Sequence, residues 1–379
     1  MAVAQPEVIQ NYLFPISDQL TSKILAYRDA VNELMEDFRR VNRHKLLIIT
    51  GPSTLNNPLQ SKHCAQWISK LSGKRSYKVS FEAKNKLPAE LGAELKHIYE
   101  NDLSPDSIML SMRANYTAYE ESQDPLRETK EVKLGLPLCR TLMHELAKYC
   151  PLTVSLSNTI SPQYYSDLCC LGLVDSTLLE SQLHREIVSG VSYPCGFEVP
   201  SSSEYHVSKG KEAIFASSFP HSFLTITKNG SVAQVETTGN RDTFLVIRTS
   251  DCDNNNEVLN AFHNLDTNTK LHGQLKIVVD IGKLNSDNYN TKCELVTSLI
   301  KNPKCYSKLI GFMIDSGDVY LPQNTQVEQI SSVLHEQYEE EQFSNLRQKL
   351  LRNDEPHNNN FDAFLLANQM ISRIVWANR

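Results

Sequence analysis

The 379-residue chain lacks any apolar stretch approaching the roughly 20 residues that a membrane-spanning helix needs, so it offers no candidate span. It has no long basic run, and its formal net charge is −6. Together these argue against a surface for nucleic acid or anionic lipid. Nine cysteines are present, but none stand in a C-x-x-C pair. An odd count without that spacing reads as free thiols in a reducing compartment, the cytosol or nucleus. The opening residues, MAVAQPEVIQNYLF, lack the basic and apolar regions of a signal peptide. No Gly-rich phosphate loop, H-E-x-x-H or G-x-S-x-G motif occurs, which removes three common signatures of chemistry.

What is present is the composition of a soluble globular protein, 40% apolar and 22% charged. The length suits one large domain or two ordinary ones. Apolar residues at helical spacing (Leu20, Ile24, Leu25, Ala30, Leu34, Phe38) predict an amphipathic helix over Asp18–Arg40. The run Leu46–Ile49 then ends at Gly51-Pro52, as a buried parallel strand does. Short apolar runs recur at Ile108–Met112, Leu152–Leu156, Gly172–Val174, Phe223–Ile226, Ile277–Ile281 and Ile310–Ile314. Stretches of helical character separate most of them, which predicts a parallel sheet covered by helices. Eight such units make a TIM barrel. Pattern alone leaves a doubly wound sheet equally open.

Two segments depart from regular alternation. Ser231–Glu236 and Thr243–Ile247 flank Thr237-Thr238-Gly239-Asn240 and read as a β-hairpin inserted after the sixth strand. Residues Ser72–Ser107 read as an insertion between the first and second strands, lysine-rich at its start and helical from Pro88 to Asn101. The division expected is an N-terminal extension over 1–45, a barrel over 46–322, and a C-terminal segment over 323–379. That last segment is acidic around Glu336–Gln342 and ends in an amphipathic helix, Phe361–Trp376.

The segment Ile160–Phe197, ISPQYYSDLCCLGLVDSTLLESQLHREIVSGVSYPCGF, resembles a core segment of the type I DAHP synthases, in the fungal tyrosine- or phenylalanine-regulated form. That family condenses phosphoenolpyruvate with erythrose 4-phosphate in aromatic amino-acid biosynthesis. The resemblance covers Leu46 to about Ser316 apart from the insertion, and it implies a TIM (β/α)8 barrel. It also locates the family's metal ligands and substrate groups, and most are changed. The cysteine of a G-P-C-S motif is Ser53, and the histidine of a D-[FY]-S-H-x-N motif is Lys283. The metal-binding glutamate becomes Asp315, and the last aspartate has only Asp354 as a counterpart. A hydroxyl is a weak ligand for a transition metal, and an ammonium has no lone pair to offer. The resemblance therefore implies that the divalent metal is lost and no cofactor is held.

The substrate groups follow the same course. Arg113 of Met112-Arg113-Ala114 and Arg248 keep two of the family's arginines. The K-P-R-T-T motif is replaced by Ala118-Tyr119-Glu120-Glu121-Ser122, one arginine becomes Thr177, and a lysine becomes Glu198. Carboxylates at a phosphate site oppose an anionic substrate. At a barrel mouth, Glu198 and Lys283 either pair or point to solvent. Residues resembling the family's effector pocket survive better: Gln163, Ser192, Phe223 and Val235.

The expected function is a catalytically inactive DAHP synthase-like protein acting in interaction or regulation. An active or residually active synthase and an aromatic amino-acid sensor are the alternatives. A homodimer is expected, with other protein partners at 72–107 or the C-terminal segment, and no nucleic acid or membrane.

Overall fold

The computed structural model describes residues 4–36, 45–55, 58–72, 107–115, 132–200, 204–249, 255–264, 275–285, 287–317 and 358–378. The expectations placed on the inserted segment, on residues 118–122 and on Asp354 lie outside these.

Short, almost entirely buried strands form the centre of the molecule. They are β1 (Leu46–Gly51), β2 (Ile108–Arg113), β3 (Leu152–Ser155), β4 (Leu171–Val174) and β5 (Cys195–Val199). After a hairpin of β6 (Ser222–Ile226) and β7 (Val232–Glu236) come β8 (Thr243–Arg248), β9 (Ile277–Lys283) and β10 (Leu309–Asp315). The order β1-β10-β9-β8-β5-β4-β3-β2 closes on itself with every pairing parallel. Both faces of such strands are covered, so β1 and β8 are continuous apolar runs rather than alternating ones. This is the TIM barrel, and the doubly wound alternative is removed by the β1–β10 closure.

The hairpin differs from its expected place. Its strands are β6 and β7, with Phe223 opposite Val235. It follows the fifth barrel strand, and Thr243–Arg248 is the sixth barrel strand rather than a hairpin arm. Exposure explains the difference: β8 is buried on both faces, whereas β7 alternates exposed and half-buried residues. Only a strand with one wet face alternates in this way.

The α1 helix (Asp18–Glu36) plugs the N-terminal end of the barrel. Val31, Leu34 and Met35 pack with Leu47, Leu171, Phe244 and Ile310, which lie at or near the starts of inward-facing strand positions. The Tyr27 hydroxyl donates to the Leu110 carbonyl at 3.0 Å. At the other end of the chain, the Asn358–Ala377 helix buries Leu366, Met370, Ile371 and Ile374. Asn368 of that helix accepts from the Trp67 indole N–H at 3.0 Å.

Ahead of α1, a π-helical turn (Val8–Leu13) docks on the barrel's flank. Arg140, fully buried, donates to both oxygens of Asp167 at 2.7 Å, to the Tyr164 carbonyl at 2.8 Å and to the Phe14 carbonyl at 3.0 Å. Arg28 of α1 donates to the carbonyls of Ser166 and Cys169. The N-terminal extension is thus tied by charge-assisted bonds to the segment after β3. Among the described residues eight cysteines are buried. Burial raises the thiols of Cys139, Cys150 and Cys169, which makes them inert. No described helix is long and apolar enough to cross a membrane.

Candidate functional site at the barrel mouth

Side chains alternate along a strand, so the apolar interior dictates what stands above it. Leu171 and Leu173 of β4, Phe244 and Val246 of β8, and Val278 of β9 fill the barrel. Two residues further on, the same faces carry Asp175, Arg248 and Asp280. On β5, a Cβ on Gly196 would meet Phe244 and Val246, so Gly196 faces inward and Glu198 does too. Arg113 ends β2 in phase with the inward Ser111, whose hydroxyl meets that of Thr153 at 2.6 Å. Asp315 ends β10 two residues past the inward Met313. Six charged side chains therefore form one layer over an apolar plug.

Glu198 sits at the centre of this layer's electrostatics. It is 6% exposed, and burial pushes its carboxyl up from 4.5 to about 7. Arg113 and Arg248 pull it down, while Asp280 and Asp175 push it further up. Asp280, 7% exposed, is likewise raised by burial against the pull of Arg113 and Arg248. Asp280 accepts the Gly282 N–H at 2.8 Å, and Asp315 accepts the Gly317 N–H at 2.8 Å. Asp175 accepts the backbone N–H and hydroxyl of Thr177 at 2.9 and 2.7 Å. Arg248 donates to the Ser176 hydroxyl at 3.4 Å.

The structure separates the other residues that the sequence singled out. Arg113, Glu198, Arg248 and Asp315 meet in the layer, but Ser53 and Thr177 are exposed outside it. Lys283 is exposed as well, and it is not among the groups acting on Glu198. Gly282, at φ +76, breaks the alternation of β9 just before it. Pairing of Glu198 with Lys283 is therefore not what this fold makes. Asp175 and Asp280 were not singled out from sequence. Their signal was available in the step of two from Leu173 and from Val278.

The donor set does not fit a divalent transition metal. A hydroxyl, an ammonium and one carboxylate already bound to a backbone N–H stand at the positions in question. Among the described residues no three His, Cys, Asp or Glu side chains are grouped to hold an ion. What the layer can do at neutral pH is hold or release one proton, on Glu198.

Of the four residues of the effector resemblance, Phe223 and Val235 lie on the hairpin, and Gln163 meets it through Lys228. The Gln163 carbonyl accepts from the side chains of Gln10 and Lys228. The Ser192 hydroxyl accepts from Arg28 at 3.0 Å. Phe223 and Val235 face each other across the hairpin and are half-buried.

Comparison with known proteins agrees with this architecture. A structure titled phospho-2-dehydro-3-deoxyheptonate aldolase from Francisella tularensis superposes with a TM-score of 0.61 at 19% identity, covering 93% of this chain and 97% of that one. That likeness shows the fold. In sequence, the phenylalanine-inhibited phospho-2-dehydro-3-deoxyheptonate aldolase of Saccharomyces cerevisiae is 30% identical over 244 residues, 64% of this chain and 58% of that protein. The tyrosine-inhibited enzyme of Candida albicans is 28% identical over 326 residues, 82% of this chain and 78% of that protein. This chain thus spans less than two thirds of the first of these relatives. The model of the DAHP synthetase I family matches residues 121–343, more than half of the sequence, and the chain belongs to that family.

Proposed function

We propose that this chain is a non-catalytic member of its family, an interaction or regulatory protein built on the barrel of a condensing enzyme. Glu198 carries the reading. A buried carboxyl stands where the resemblance places a lysine, within a layer of four carboxylates and two guanidinium groups. Phosphoenolpyruvate and erythrose 4-phosphate are both phosphorylated, and a layer with excess negative charge repels them. Nor is there a thiolate or imidazole at Ser53 or Lys283 to bring a Lewis acid to the carbonyl. The relatives' named activity, that of an aldolase, is the competing reading for this chain.

A turnover assay with both substrates, with and without manganese or cobalt, tests the proposal. The expected result is that no heptulosonate phosphate forms and that elemental analysis finds no stoichiometric divalent metal. Turnover that Lys283→Ala abolishes would instead establish an enzyme that uses the new ammonium.

As an interaction protein the chain needs a surface to offer. The outer face of the hairpin carries Leu224 and Val232, 71% and 72% exposed. A two-strand ribbon gains little stability alone, and these side chains suit the two-fold contact of a homodimer. Light scattering at micromolar concentration should give twice the chain mass, and Leu224→Glu together with Val232→Glu should give the monomer. A monomeric native chain ends this assignment.

A further inference from the structure

The six charges of the mouth are unequally satisfied. Asp175, Asp280 and Asp315 each accept a backbone N–H, and Arg248 reaches a hydroxyl. Glu198 has no hydrogen bond among the described residues, and burial and through-space charges alone act on it. Arg113 Nε is buried and has no acceptor among the described residues. A carboxylate 6% exposed and without a donor is costly, so it takes a proton or a cation. An orphaned guanidinium N–H needs an acceptor.

A plain anion would answer Arg113 but meet four carboxylates around two guanidinium groups. A plain cation would answer Glu198 and leave Arg113 unmet. A metal ion is not favoured as that cation, since no three ligating side chains are grouped among the described residues. One molecule carrying both charges answers both needs. We propose that the barrel mouth binds a small zwitterion, its ammonium on Glu198 and its anionic group on Arg113 and Arg248. The proposal rests on the reading of the mouth as no longer a phosphoenolpyruvate site.

Proton linkage follows from the same arrangement. The charges that act on Glu198 are Arg113 on β2, Asp175 after β4, Arg248 on β8 and Asp280 on β9, with Asp315 on β10 acting on Asp280. An ammonium on Glu198 displaces its proton, so binding releases protons near neutrality and weakens as pH falls below about 7.

Calorimetric titration of the full chain tests this, with phosphoethanolamine as the probe and inorganic phosphate and ethylamine as its separate halves. At pH 8 phosphoethanolamine should bind about 10–100-fold more tightly than phosphate, the increment of one charge-assisted hydrogen bond. Glu198→Gln should bring phosphoethanolamine down to the level of phosphate, and Arg113→Met should weaken both. Equal affinity for phosphate and phosphoethanolamine overturns the proposal, as does no binding of phosphoethanolamine at millimolar concentration. A preference that survives Glu198→Gln overturns it too. Thermal melts confirm that each variant is folded, and if Arg113→Met is not, the Glu198→Gln comparison decides alone. Turnover of the family's substrates by the same preparation would remove the non-catalytic reading and leave the binding comparison to be judged separately.

Discussion

Glu198→Gln should make the protein about 3 kcal/mol more stable than the unsubstituted chain at pH 8.5, and change its stability little at pH 5. The carboxyl holds its proton to about pH 7 in the folded state, against 4.5 for an ordinary glutamate. Each pH unit between these values corresponds to about 1.4 kcal/mol, which sets the size of the effect. The sign follows from proton counting. Below pH 4.5 both states are protonated and nothing is lost. Between 4.5 and 7 the unfolded chain gives up the proton first, so the folded state binds more protons and stability falls as pH rises. Above 7 the full penalty of a buried, unpartnered carboxylate is present. Glutamine keeps the shape and never ionises. Urea denaturation at pH 5, 7 and 8.5 measures the difference. An offset independent of pH would mean that Glu198 is solvated in solution, and the account of the mouth would fail with it.

Asp167→Ala should cost about 3–5 kcal/mol, the usual result of stripping the partner from a buried charge. Arg140 is fully buried and spends two of its donors on Asp167. Its other bonds go to the carbonyls of Tyr164 and Phe14, which cannot neutralise it. Since Arg140 also holds the chain just ahead of α1, the variant should loosen the N-terminal extension and expose it to proteolysis. The double variant Arg140→Met with Asp167→Leu should recover most of the loss, because an apolar pair of similar volume removes the stranded charge. Chemical denaturation of the three proteins makes the comparison. A loss below about 1 kcal/mol in Asp167→Ala would place this pair with exposed, weakly contributing salt bridges.

Much of the barrel was legible as apolar runs. β1, β2, β3, β4, β9 and β10 stand out because a strand buried on both faces has little room for polar residues. β5 does not stand out, since Cys195-Gly196-Phe197-Glu198-Val199 carries a glycine and a charge. Both belong to the interior: Gly196 makes way for Phe244 and Val246, and Glu198 faces the mouth. The hairpin misled for a related reason. Phe223–Ile226 is as apolar as a barrel strand, and nothing local says that one of its faces stays wet. The buried Arg140–Asp167 pair left no local signal either, since its residues are 27 positions apart and meet only through packing.

Sequence by itself determined which chemistry was available. Ser53, Glu198 and Lys283 stand as those residues whatever the fold does, and no conformation makes an ammonium a metal ligand. It also determined the strand periods that put Asp175, Arg248 and Asp280 in phase with the core below them. Only the tertiary structure decided which of these groups share a space. Closure of β1 onto β10 brings six strand ends into one ring, and the left-handed Gly282 leaves Lys283 outside it. Charge interactions depend on distance and burial, and both are properties of the closed barrel rather than of any segment.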